Sequence, residues 1–259
     1  MSHTDAHVLT GLEAGIYRIE LNRADKKHAL THAMYTRLHE AVLEAEADPQ
    51  VRVIYISGRE GIFTSGNDMK DFLQNPPAGE SAPVFRLLQA LLNAAKPIVA
   101  AVSGPAVGIG TTLLLHCDLV YCDDTARFRL PFVSLGLCPE AGSSMLLPLM
   151  AGHQRAAELL LLGEAFDAAT ALGIGLVNAV LTPAELQDFA LERARRLAAQ
   201  PAAAVRLTKA LMRGAQKSAL TAQMAQESEA FVARLHSPEA KEAMNAFMEK
   251  RQPDFSAFN

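Results

Sequence analysis

Residues 96–117 read Lys96-Pro97-Ile98-Val99-Ala100-Ala101-Val102-Ser103-Gly104-Pro105-Ala106-Val107-Gly108-Ile109-Gly110-Thr111-Thr112-Leu113-Leu114-Leu115-His116-Cys117. From Ile98 to Cys117 the stretch carries no Asp, Glu, Lys or Arg, and about twenty apolar residues suffice to cross a bilayer as a helix. Its internal punctuation decides otherwise. Ser103-Gly104-Pro105 interrupts the run early, and Gly108 and Gly110 follow. The stretch therefore divides into a short buried strand over 98–102, a Gly-Pro turn and a helix over roughly 109–116.

The pattern extends in both directions. Upstream, Lys96-Pro97 stops a helix carrying Phe85, Leu87, Leu88, Leu91 and Leu92, which itself follows the break Asn75-Pro76-Pro77-Ala78-Gly79. Val51–Ser57 reads as a mostly buried strand ending at Gly58, and Ile16–Leu21 alternates like a half-buried one. Between them a helix opens at Thr31 or His32 and closes at Asp48-Pro49. The polar, glycine-bearing segment Arg59–Asp71 reads as a loop. Downstream come strands at Leu119–Cys122 and Arg127–Arg129, then helices with brief extended pieces to Val180. From Pro183 onward the pattern predicts helices over 183–199, 201–214, 218–236 and 238–250. Alternating strands and helices imply an α/β core, and the helical tail must pack on it or on a neighbouring subunit.

The chain has 259 residues, half of them hydrophobic and 20% charged, which excludes a disordered polypeptide. A chain this long needs no disulfide or metal staple. Lys and Arg number 24 against 28 Asp and Glu, a net charge of −4. That balance gives no electrostatic reason to expect nucleic acid or an anionic membrane as partner; an anionic ligand needs a local basic patch. Cys117, Cys122 and Cys138 form no CxxC pair and read as reduced thiols of a cytoplasmic protein. The start lacks the basic and apolar regions of a secretory signal, and Ala257-Phe258-Asn259 is no peroxisomal address.

Several chemistries fall away on motif grounds. Gly108-Ile109-Gly110 lacks the third glycine of a dinucleotide fingerprint, since position 113 is Leu. No GxxxxGK[ST] phosphate loop, no G-x-S-x-G elbow and no H-E-x-x-H occurs, and no His clusters with Cys at zinc-ligand spacing. What remains is a pair of glycine-bearing strand-to-helix turns, Gly61–Lys70 and Ser103–Gly110. Two backbone N–H groups left free at such turns and aimed at one spot make an oxyanion hole. Taken alone, the same glycines serve equally well as steric devices in two tight turns.

The combination of motifs resembles the crotonase family, the enoyl-CoA hydratase/isomerase superfamily. Leu21-Asn22-Arg23 with Ala29-Leu30, then Phe63-Thr64-Ser65-Gly66-Asn67-Asp68, then Lys96–Gly108 carry the resemblance. Cys117–Tyr121, Ala126-Arg127-Phe128, Leu135-Gly136-Leu137 and Gly173–Asn178 continue it in order, so that it covers roughly 8–255. It implies a spiral of ββα repeats over 1–200 and a helical region over 201–259 that builds a homotrimer or hexamer. It also implies an acyl-CoA thioester as substrate, with no separate cofactor. The thioester carbonyl would be held by the backbone N–H groups of Asn67 and Ile109, the positions matching the family's oxyanion donors.

Within the family, hydratases use two glutamates. Thr112 and Phe132 occupy the matching positions here, and neither can hold and return a proton as a carboxylate does. One carboxylate stands instead at Glu140, in Leu135-Gly136-Leu137-Cys138-Pro139-Glu140-Ala141-Gly142-Ser143-Ser144. That run is similar to the L-G-x-x-P-E-G/A-x-S-S pattern of peroxisomal-type Δ3,Δ2-enoyl-CoA isomerases, whose single glutamate takes a C2 proton and redelivers it at C4. An apolar lining from Phe132, Leu137 and Met145 is expected to raise the pKa of Glu140. A helix-end glutamate without chemistry is the plainer reading of the residue by itself.

The resemblance further assigns Lys26 and Lys27 to the adenine and phosphate end of CoA, with Lys70 a second cation. Ala29, Ser65, Asp68 and Met69 would shape the channel for the pantetheine. Lys250 or Arg251 would reach a neighbour's CoA. The apolar stripe Phe231, Leu235, Met244, Phe247 and Met248 reads as core or subunit interface. The expected activity is isomerisation of 3-enoyl-CoA to 2-enoyl-CoA. The alternatives are hydration or another reaction of the family, and a non-catalytic acyl-CoA-binding protein.

Overall fold

The computed structural model describes residues 6–79 and 81–258. In chain order the elements are β1 (Val8–Glu13), β2 (Ile16–Leu21), α1 (His32–Ala47), β3 (Val53–Gly58), α2 (Met69–Gln74), α3 (Pro83–Asn93), β4 (Ile98–Val102) and β5 (Pro105–Val107). There follow α4 (Ile109–Thr112), β6 (Leu119–Asp123), β7 (Arg127–Arg129), α5 (Ser143–Ala151), α6 (His153–Ala157), β8 (Ala165–Asp167), α7 (Ala168–Gly173) and β9 (Ala179–Leu181). Three helices close the chain: α8 (Pro183–Ala198), α9 (Ala202–Leu235) and α10 (Pro238–Glu249).

Strand β4 is apolar throughout because both faces of its sheet are covered. Ile98, Ala100 and Val102 face the main core, whereas Val99 and Ala101 join Tyr55, Tyr121 and the α8 residues Leu186, Ala190 and Ala194 on the other side. The large sheet has the order β1-β2-β3-β4-β6-β9, antiparallel only between β1 and β2. A second sheet, β5-β7-β8, lies beside it. The chain leaves the large sheet after β4 to form β5 and again after β6 to form β7, each time across a short turn. Successive circuits thus add one strand to each sheet, which is the α/β spiral that the motifs implied.

Three expectations change. The segment read as a loop to Asp71 already turns into α2 at Met69, with Asp68 capping it by accepting from the N–H groups of Lys70 and Asp71. Strand β1 has no sequence signature because it is an edge strand, exposed along most of its length. The helices expected over 201–214 and 218–236 are one continuous helix, α9. Gly214 costs a helix only about 1 kcal/mol, and anchors on both sides outweigh it. Lys209 and Arg213 pair with Asp118 at 2.7 and 3.4 Å, while Leu220, Met224, Phe231 and Leu235 sink into the main core. No helix among the described residues is long and apolar enough to cross a membrane.

Candidate active site

The two glycine turns are stitched to each other. Phe63 N–H donates to Ser103 O (2.7 Å), Thr64 N–H to Pro105 O (2.9 Å) and Val107 N–H to Thr64 O (3.1 Å). Such close approach demands glycine. At Gly66 (φ +86°) a Cβ would lie 2.7 Å from Val107 O, and at Gly110 it would lie 2.5 Å from Thr64 Cγ2. On the other side of the first turn, Leu30 N–H donates to Gly66 O (2.8 Å) and Asp68 N–H to Leu30 O (2.9 Å). These bonds use the residues flanking Asn67, so its own N–H points the opposite way. Ile109 begins α4, and its N–H is one of the orphan donors of a helix start. Among the described residues no protein acceptor takes either N–H, and both residues line one cavity of about 1070 Å³.

Glu140 lines the same cavity and is 4% exposed. The hydroxyl of Thr112, in α4, donates to its Oε1, while Oε2 is buried without a hydrogen-bond partner. Burial drives the pKa of Glu140 up to about 8; the Thr112 bond opposes the rise and the charge of Glu227 adds to it. Phe132 and Leu137 line the cavity beside it as expected. Met145 is not among the lining residues and packs against the main core instead. Behind Glu140, its carbonyl accepts from Ser143 N–H (3.0 Å) and Ser143 Oγ (2.6 Å), closing a tight turn through Ala141 (φ +63°) and Gly142 (φ +71°).

Lys26, Ala29, Ser65, Asp68, Met69 and Lys70 also border the cavity. Lys27 does not: it is exposed, and its carbonyl accepts from Ser65 N–H (3.0 Å), so it serves the turn through its backbone. Arg23 ties the lysine loop to the Asn67 turn, donating to Ala29 O and to Asp68 Oδ2, both at 2.8 Å. That guanidinium contributes to holding the Asp68 carboxyl below its ordinary pKa, against the effect of burial.

Arg251 borders the cavity of its own chain, paired with Glu242 at 2.5 Å and Glu249 at 2.6 Å. The stripe read as core or interface is divided. Leu235 and Met244 belong to the core, Phe231 belongs to the core and also lines the cavity, and the exposed Phe247 and Met248 line the cavity alone. Phe231 meets Phe72 and Phe85 edge-on, with ring centroids 6.4 and 6.3 Å apart.

Tyr35 was not singled out by its sequence, where it is one more apolar position of α1. Its hydroxyl donates to Asn67 Oδ1, and the residue is buried at the cavity wall. The pairing of Thr112 with Glu140 likewise has no local signal, because the two residues lie far apart in the chain.

The sequence profile of the Enoyl-CoA hydratase/isomerase family matches residues 11–257. Enoyl-CoA delta isomerase 2 of Rattus norvegicus is 35% identical over 250 residues, covering 94% of this chain, which spans only 64% of the rat protein's length. The 1,2-epoxyphenylacetyl-CoA isomerase of Escherichia coli is 33% identical over 256 residues, 96% of this chain and 98% of that protein. Among solved structures, OdaA of Pseudomonas aeruginosa superposes with a TM-score of 0.92 at 50% identity, covering 94% of this chain and 99% of that one. The spiral, the stitched turns and the profile match over 11–257 together mean that the chain belongs to the enoyl-CoA hydratase/isomerase family, the crotonase family its motifs resemble.

Proposed function

We propose that the protein isomerises a 3-enoyl-CoA to the conjugated 2-enoyl-CoA, with Glu140 as the one proton carrier. The observation that carries this reading is the state of the Glu140 carboxyl. One oxygen is fixed by Thr112, the other has no partner, and the group lines the cavity that Asn67 and Ile109 also line.

In the reaction, ionised Glu140 takes the C2 proton of the thioester. The C–H electron pair moves into the C1–C2 bond and charge appears on the carbonyl oxygen. The N–H groups of Asn67 and Ile109 hold that oxygen; a donor of this kind typically contributes about 3–4 kcal/mol of transition-state stabilisation. The dienolate then collapses, taking the proton back from Glu140 at C4 and leaving the double bond between C2 and C3. Glu140 returns to its starting state, and no water enters the balance. A pKa of about 8 suits a carboxyl that must both take and return a proton near neutrality. Hydration would need a second proton carrier, and Thr112 and Phe132 occupy the positions where the resemblance locates the hydratase glutamates.

The reading includes CoA held near Lys26 and Lys70, and assembly as a homotrimer or hexamer through 201–259. Leu207, Leu211 and Met212 of α9 are 61, 71 and 76% exposed, which supports a covered face there; the solution mass checks it. The functional test is the rise in absorbance of a conjugated thioester from a 3-enoyl-CoA, run beside 2-enoyl-CoA in water. Turnover of the first without loss of the second is expected. Consumption of the second indicates hydration, and binding without turnover of either a non-catalytic protein.

A further inference from the structure

Glu227 of α9 is a carboxylate only 5% exposed, and among the described residues no cation pairs with it. Its partners all come from the segment just after Glu140. Gly142 N–H donates to its Oε2 (2.5 Å), Ser144 N–H to its Oε1 (3.0 Å), and the Ser144 hydroxyl also to Oε1. Gln223, one turn earlier on α9, donates to Ser144 Oγ (2.9 Å) and so orients that hydroxyl. Burial raises the Glu227 pKa, and the hydrogen bonds from Ser144 and Gly142 oppose the rise; three donors and no acceptor on one carboxyl favour its ionised form. Helix α5 has no side-chain cap of its own at Gly142, so the orphan N–H groups at its start are satisfied from α9.

We propose that Glu227 is a positioning residue for Glu140: its carboxylate grips the 142–144 turn from α9 and holds Glu140 Oε2 toward the cavity with a like charge behind it. The proposal rests on Glu140 as the proton carrier.

The turn needs such a grip. Ala141 stands in the left-handed region without being glycine, a conformation that a Cβ disfavours. The turn is held at two residues. His116 donates from Nε2 to Ala141 O (2.8 Å), its imidazole kept neutral by burial that lowers its pKa to about 4. At the next residue, α9 packs so closely that a Cβ on Gly142 would lie 2.3 Å from Leu220 Cδ1. The titratable groups that sense Glu140 are few. Tyr35 of α1 and Cys138 of its own loop both have their pKa raised by burial and stay neutral, with the Glu140 charge as a contributing cause. Lys209 and Arg213 lie toward His116 and are paired with Asp118. Glu227 is therefore the charge with the strongest influence on Glu140, and it disfavours the ionised form.

The test compares Glu227→Gln and Glu227→Asp with wild type in two readouts. One is the infrared titration of the Glu140 carboxyl, its band identified by absence in Glu140→Gln; the other is kcat and KM for a 3-enoyl-CoA. Gln removes the charge and one acceptor, so the Glu140 midpoint should fall by about one pH unit, while kcat on the alkaline plateau, where Glu140 is ionised in both proteins, should fall by about tenfold, with KM little changed. Asp keeps the charge on a shorter arm, so the midpoint should stay while kcat falls. An unmoved midpoint in Glu227→Gln, or an Asp variant with wild-type kcat, overturns the proposal. Failure of the proton-carrier reading is seen separately, as turnover surviving in Glu140→Gln, and the infrared titration tests the influence of Glu227 even then.

Discussion

The Thr112 hydroxyl donates to Glu140 Oε1 across 28 residues of chain. Thr112 stands where the resemblance locates one hydratase glutamate, and here it donates to a carboxyl from another loop. The pair leaves one oxygen of Glu140 immobile and the other unpartnered. That asymmetry is what a proton carrier working on one face of a substrate requires.

Removing the Thr112 hydroxyl should therefore act through Glu140. The bond lowers the Glu140 pKa against the effect of burial, so Thr112→Val raises it above about 8. The acid limb of kcat/KM moves to higher pH, and each pH unit of that movement lowers activity at pH 7 about tenfold. A pH–rate profile of the variant checks it.

Glu140 also ties stability to pH. The folded protein keeps the proton up to about pH 8, whereas an unfolded glutamate loses it near 4.3. Between those values the folded chain binds more protons, so this contribution is complete at low pH and is lost as pH rises through 8. Glu140→Gln cannot ionise. Its melting temperature should match wild type near pH 5 and exceed it at pH 9 by about 4 °C or more.

Two adjacent lysines separate by position. Lys26 borders the cavity and Lys27 does not. Lys26→Ala should raise KM for the CoA substrate about fivefold at low salt, with less effect at high salt, while Lys27→Ala leaves KM nearly unchanged. Steady-state kinetics at two ionic strengths distinguish them.

Gly66→Ala tests the stitched turns. A Cβ there meets Val107 O at 2.7 Å and sits at φ +86°, so the turn must shift and carry the Asn67 N–H with it. We expect a loss of about 2 kcal/mol in stability and of about 100-fold in kcat from the displaced donor. Denaturation and turnover measured on one preparation check both.

Local order was legible in the sequence wherever one segment was constrained by its own neighbours. Ile98–Val102 is apolar because both sheet faces are covered, and the glycines of the two turns announce backbone approach. Edge strand β1 was silent because exposure leaves no alternation. The helices expected over 201–214 and 218–236 merge because the cost of Gly214 is local while the anchors of α9, Asp118 and the main core, come from distant residues. The site follows the same division. Glu140, Asn67 and Ile109 could be named from motifs, but Thr112, Tyr35 and Glu227 reach them only through tertiary packing.

The most direct measurement is turnover of a 3-enoyl-CoA by wild type and by Glu140→Gln, with acyl-CoA binding and melting temperature recorded for both. The expected result is a kcat lower by about 10²–10⁴-fold in the variant, with binding retained. A folded variant that binds acyl-CoA and keeps kcat within about tenfold of wild type would contradict proton transfer by Glu140 and return the proton to another acid at the cavity, Asp68 first.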